Sequence, residues 1–168
     1  MTVRPVLERT ASRPMPANAY LDALKMLARR ELSEAQLRQR LVRRSHTADA
    51  IEETILRLKE ARAIDDARVA EAIARTEITV KRRGTLRVKR KIESVGIDRA
   101  TAGRAVDSVV GEIDDGALLE AALAKRLRTG TTIADEAEFQ RLYRYLIGQG
   151  FEPDQVMRTL NTHRGRRS

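Results

Sequence analysis

The stretch "SEAQLRQRLVRRSHTADAIEETI", Ser33 to Ile55, carries Leu37 and Leu41 four residues apart, then a break at Ser45, then Ile51 and Ile55 four apart again. Residues four apart lie on one face of an α-helix, so the pattern predicts two amphipathic helices joined by a tight turn. Ser33 and Gln36 have the spacing of a capping box, in which the hydroxyl accepts from a free N–H of the first turn and the amide reaches back. The plan recurs at an offset of 51 residues, where Val88, Ile92, Gly96, Ala102 and Val106 take the five marked positions. At a further offset of 54 they become Leu142, Leu146, Gly150, Val156 and Leu160. Internal repetition of this kind marks an array of supersecondary units.

A third element completes each unit. "AIDDARVAEAIAR" from Ala63 resembles "EIDDGALLEAALAKR" from Glu112, and "NAYLDALKMLARR" from Asn18 fills the same slot in the first unit. Asp65 or Asp66, and Asp114 or Asp115, suit the caps of these opening helices. Asp135 and Glu138 suit the start of the helix that carries Phe139, and Pro153 suits a first helical turn, where no N–H is missed. Gly148 and Gly150 are read as the left-handed exit from that helix, and Gly84 with Thr85 as a turn and cap. Strand-like alternation is scarce. The expectation is an all-α chain, an elongated curved array of three tandem three-helix, helix-turn-helix-like repeats. Their bounds are 18–61, 64–111 and 113–163, with a flexible arm at 1–17 and a basic tail at 164–168. A unit of about 45 residues buries too little apolar surface to stand comfortably alone, so stacking is expected.

Composition narrows the function classes. The 168 residues carry a net charge of +9, and charged residues make up 34% against 3% aromatics. Such an excess points to an anionic partner, whether nucleic acid, an acidic protein surface or anionic lipid. Cysteine is absent, which removes disulfides and thiolate chemistry together and fits a reducing, cytoplasmic setting. No apolar run approaches the ~20 residues of a membrane span. The two histidines, His46 in a turn and His163 near the basic end, have no nucleophile or ligand partner in a recognisable spacing. The acidic pairs Glu52–Glu53, Asp65–Asp66 and Asp114–Asp115 do not make a metal cage, because neighbours on a helix point about 100° apart. Gly84, Gly96 and Gly103 lack the spacing of a phosphate loop. The chain is read as a non-enzyme without metal or cofactor.

What remains is charge on helix faces. In "KRRGTLRVKRKIESVGID", Lys81 to Asp98, seven basic residues precede the first acid. Val88, Ile92 and Val95 should face inward, while Arg87, Arg90 and Lys91 at i, i+3 and i+4 form one external ridge. Lys81, Arg82 and Arg83 would extend it, and the matching helix of the first unit presents Arg40, Arg43 and Arg44. Rows of cations about one turn apart suit phosphates or a carboxylate-lined groove. No aromatic residue stands in the basic centre, so base stacking is not expected.

Four segments together resemble the RecX family of bacterial recombination regulators. They are "ALKMLARRELSEAQLRQRL", "AIDDARVAEAIA", "RRGTLRVKRKIESVGID" and "YRYLIGQGFEPDQVMRTL", and the likeness spans about Ala19 to Leu160. Leu32 stands where that family usually has histidine, Val69 where it has phenylalanine, and Ser45–His46 where it has Gly-Phe or Gly-Tyr. The resemblance implies an all-helical protein of tandem three-helix repeats that binds the groove of the RecA–DNA filament and inhibits its ATPase, strand exchange and co-protease activity; a monomer is expected. Homologous recombination, DNA repair and the SOS response would be regulated in this way. Single-stranded DNA, with double-stranded DNA as a second candidate, would be met without sequence preference through the basic residues named above. A helix-turn-helix transcription regulator is the alternative that small three-helix units with a basic helix invite. A protein-only assembly adaptor is a third.

Overall fold

A computed structural model describes residues 18–127 and 132–164. The N-terminal arm and the last four residues of the basic tail lie outside that range. Among the described residues the chain is all helical: α1 (Ala19–Leu27), α2 (Glu34–Arg43), α3 (Ala48–Glu60), α4 (Asp66–Arg75), α5 (Thr85–Glu93), α6 (Arg99–Gly111), α7 (Asp115–Ala124), α8 (Glu136–Gln149) and α9 (Pro153–Thr162). A π-helical turn, Thr76–Val80, continues α4. One isolated backbone pairing, Ile133 N–H to His163 O at 2.8 Å, ties the approach to α8 onto the end of α9.

Local chemistry accounts for the helix starts. Ser33 and Gln36 form both halves of the capping box on α2. Asn18, Thr47, Asp65, Asp98, Asp114 and Asp135 each cap a helix through a side-chain oxygen, which satisfies N–H groups that have no partner in the first turn. Asp66 does not cap. Its carboxylate accepts the Glu34 N–H at 2.8 Å instead, across to the start of α2. Glu138 accepts from Ala134 N–H at 3.0 Å, one residue outside a capping box. Gly148 lies within α8, and only Gly150 takes the left-handed conformation, at φ +90°.

The helices pack in threes, α1 with α2 and α3, α4 with α5 and α6, α7 with α8 and α9. The cores do not divide in the same way. Ala23, Leu37, Leu41, Ile55 and Leu58 head a cluster drawn from the first three helices and the loops beside them, out to Ile64. A single second cluster runs from Val69 through Ile78, Val88, Leu119 and Phe139 to Leu160, so α4 to α9 share one apolar interior. Burial of such surface contributes ~25 cal/mol per Å² removed from water.

Both junctions between consecutive units use the same two places in the repeat. At the first, Ser33 Oγ donates to Val95 O, beside the exit turn at Gly96. At the second, Gly84 N–H donates to Gln149 O at 3.0 Å, and Leu86 N–H donates to Gly150 O at 3.1 Å. Ser33 and Gly84 are equivalent residues, and so are Val95 and Gln149. The start of one unit's middle helix therefore docks on the exit turn of the next unit's middle helix. A Cβ on Gly96 would stand 2.3 Å from the Ala35 Cβ, and one on Gly150 would stand 2.4 Å from the Arg87 Cβ. Ser45 occupies the equivalent exit turn of the first unit at φ +60°. No described unit docks there, so a side chain fits, at the ordinary cost of a left-handed non-glycine residue.

His46 follows the same logic. Its repeat equivalents, Ile97 and Phe151, are 3% and 2% exposed. The His46 side chain is also buried, with Nε2 3.0 Å from Asp22 Oδ2 on α1. A buried polar ring keeps its place because it has a partner.

Candidate anion-binding site

The basic run around α5 is less open than its helical wheel implies. Glu77, 4% exposed, is carried inward by the π-helical turn and binds two of the expected cations. Lys81 Nζ lies 2.7 Å from Glu77 Oε1, and Arg83 donates to Oε2. Burial works against ionisation of Glu77, but Lys81 and Arg83 outweigh it and hold the carboxyl below its ordinary value. A carboxyl whose folded pKa is lowered stabilises the fold fully above its unfolded pKa and loses that contribution as pH falls through the lowered value. Urea unfolding midpoints measured from pH 6 down to about pH 3 should therefore fall, and Glu77→Gln should flatten part of that fall. An unchanged slope in the variant would mean that the pairing contributes nothing.

Arg87 is also engaged. Its Nη1 donates to Gly148 O at 2.8 Å, which clamps α5 to α8. Arg90 Nε donates to Leu86 O at 3.2 Å on its own helix. Arg82 is exposed in a left-handed turn at φ +53°. Lys91 is exposed and lines a cleft of about 380 Å³ between the first and second units. Val95, expected to face inward, is half-buried in the wall of the same cleft. The open row expected from Arg83, Arg87, Arg90 and Lys91 is thus broken. Arg83 and Arg87 bind within the fold, while Arg90 and Lys91 face outward.

The first unit gathers its cations into a hollow. The buried stripe of Leu37 and Leu41 fixes the roll of α2. Arg40 and Arg43 on α2, with Arg44 at its C-cap, then stand across from Lys25 in the last turn of α1. Arg29 and Arg30 follow the end of α1 and close the rim, and Met26 supplies an apolar floor. The cavity measures about 410 Å³. Arg44 Nη1 lies 3.1 Å from Asp22 Oδ1, so the Asp22 carboxylate braces the exit turn of α2 against α1 with one oxygen on Arg44 and the other on His46. The hydrogen bond from His46, with Arg44 beside it, holds the Asp22 carboxyl below its ordinary value. Lys25, Arg29, Arg30, Arg40 and Arg43 have no carboxylate within ion-pair distance among the described residues.

Five uncompensated cations around one concavity focus a strongly positive potential, which an oxyanion would relieve. Arg40, Arg43 and Arg44 are expected from the sequence, whereas Lys25, Arg29 and Arg30 are not. The signal available for the last two was the basic pair closing "LARR", Leu27 to Arg30. Arg30 also lines the cleft that holds Lys91, so the two hollows adjoin. Among the described residues no three His, Asp or Glu side chains stand together as a metal site. No described helix is long and apolar enough to cross a membrane.

Comparison with known proteins matches this architecture. The profile described as "RecX, first three-helix domain" covers residues 19–58, and "RecX, third three-helix domain" covers residues 114–160. A regulatory protein RecX from Halorhodospira halophila is 30% identical over 135 residues, spanning 80% of this chain and 81% of that protein. Another, from Acidithiobacillus ferrooxidans, is 30% identical over 145 residues, spanning 86% and 89%. The crystal structure of RecX from Lactobacillus salivarius superposes with a TM-score of 0.77 at 19% identity, covering 86% of this chain and 93% of the other. The first and third units are matched in order, and relatives of 30% identity are spanned over more than four-fifths of their length. The chain belongs to the RecX family.

Proposed function

We propose that this protein is a non-enzymatic modulator of the RecA recombinase. It seats in the groove of the RecA–DNA filament and lowers RecA ATPase, strand exchange and co-protease activity, which restrains recombination, repair and the SOS response. The observation that carries this reading is the likeness, over 80% of the chain, to a protein named as a regulatory protein RecX. The basic hollow supports it, because its clustered cations offer binding charge to an anionic partner. Tandem units can each make a weak contact, and linkage turns such contacts into firm attachment. Basic side chains then meet acidic groove walls, with DNA phosphates as accessory contacts that carry no sequence preference.

The test is a titration of the purified protein into RecA assembled on single-stranded DNA, with ATP turnover as the readout. Turnover should fall at sub-stoichiometric to equal ratios. Full turnover at a large excess would overturn the reading.

A further inference from the structure

We propose that the hollow between α1 and α2 is a binding site for a compact polyphosphate, an inorganic triphosphate chain or the triphosphate of a nucleotide. Lys25, Arg29, Arg30, Arg40 and Arg43 converge on it from three successive pieces of chain, and none of the five has a carboxylate partner among the described residues. Several cations elsewhere in the fold do meet carboxylates. Arg38 meets Glu34 and Glu52, Arg75 meets Glu71 and Glu112, and Lys81 and Arg83 meet Glu77. Gathering like charges without an acid is unfavourable for the empty protein, and that cost is returned when an anion fills the hollow.

The shape of the cluster decides the class of ligand. The cations ring one cavity of about 410 Å³, so they suit several negative charges on adjacent phosphates. Arginine forks bind phosphate oxygens in pairs, and a lysine adds a point charge. The wall contains one apolar side chain, Met26, and no aromatic ring. A base would find no stacking partner there, so recognition rests on the phosphates and not on the nucleoside. The site is rigid on one side, since Asp22 locks Arg44 and His46 onto α1. Filling it would withdraw positive charge from the surface that the first unit offers to any larger anionic partner. The inference stands apart from the RecA reading, since it concerns the isolated protein.

Isothermal titration calorimetry of the full-length protein at about 50 mM salt, where screening is modest, provides the test. Inorganic triphosphate, ATP, GTP, orthophosphate and an unphosphorylated oligothymidylate are titrated separately. The three triphosphates should bind with similar affinity and orthophosphate far more weakly. The combined variant Arg29→Gln, Arg40→Gln, Arg43→Gln should weaken triphosphate binding at least about tenfold, which corresponds to ~1.4 kcal/mol. Arg99→Gln with Arg158→Gln, both exposed and outside the hollow, should change it much less. The proposal is overturned if triphosphate gives no binding, or if the hollow variant binds as well as the unaltered protein. It is equally overturned if only the oligothymidylate binds and triphosphate does not displace it, because the cations would then serve a strand.

Discussion

Gly84→Ala is expected to lower the thermal midpoint by about 6–12 °C, for a cost of ~3 kcal/mol in a protein of this size. Gly84 is buried at the cap of α5, where an added Cβ would lie 2.2 Å from the Gly150 carbonyl carbon and 2.3 Å from Phe151 N. Both obstacles are backbone, so no rotamer change relieves them. Relief requires the second and third units to separate, which breaks the Gly84 N–H to Gln149 O and Leu86 N–H to Gly150 O hydrogen bonds. It also opens the apolar interior those units share. Gly150→Ala should act comparably, with the added strain of φ +90° and a Cβ 2.4 Å from Arg87 N. Gly103→Ala is the control. Nothing lies within 4 Å of its would-be Cβ inside α6, so it should gain ~0.5–1 kcal/mol from helix propensity. Circular dichroism melting of the three variants checks the reversal of sign. A Gly84→Ala midpoint indistinguishable from the unaltered protein would refute the junction geometry.

The largest functional effect is expected in the hollow of the first unit. Arg29→Glu, Arg40→Glu and Arg43→Glu together should abolish inhibition of RecA ATP turnover while helical content is retained. These side chains make no ion pair among the described residues, so their reversal removes binding charge without breaking a described ion pair. Arg90→Glu with Lys91→Glu should weaken inhibition by a smaller factor, because those two of the α5 ridge face outward without a carboxylate partner among the described residues. Arg87 is left out deliberately. Its guanidinium holds α5 to α8 through Gly148 O, so reversing it would confuse loss of stability with loss of binding. Inhibition at the original stoichiometry by the hollow variant would exclude this surface as the filament contact.

The contrast between these variants shows what could be read from the chain. Helix starts were legible because a cap is local, and Ser33 with Gln36 performs as its spacing promises. The repeat was legible because Leu37, Val88 and Leu142 recur with their neighbours. The role of Gly84 was not, since the backbone it must admit belongs to Gly150, 66 residues further on. The basic ridge was misjudged for a related reason. A wheel shows where a side chain leaves its helix, but not that Glu77 lies behind Lys81 and Arg83 or that a carbonyl awaits Arg87. The hollow needed two helices and the turn between them, so no single wheel displays it.

The unequal division of the apolar interior has a kinetic meaning. The first three helices carry their own small core, and polar contacts join them to the second unit: Ser33 to Val95, Glu34 to Asp66 and Arg68 to Glu31. In a one-dimensional array, cooperativity fails first where the coupling between neighbours is weakest. The first three helices can therefore open and re-form while the other six stay shut, and their amides should surrender hydrogen to deuterium sooner. The unit that holds the basic hollow is thus the one the rest of the molecule restrains least.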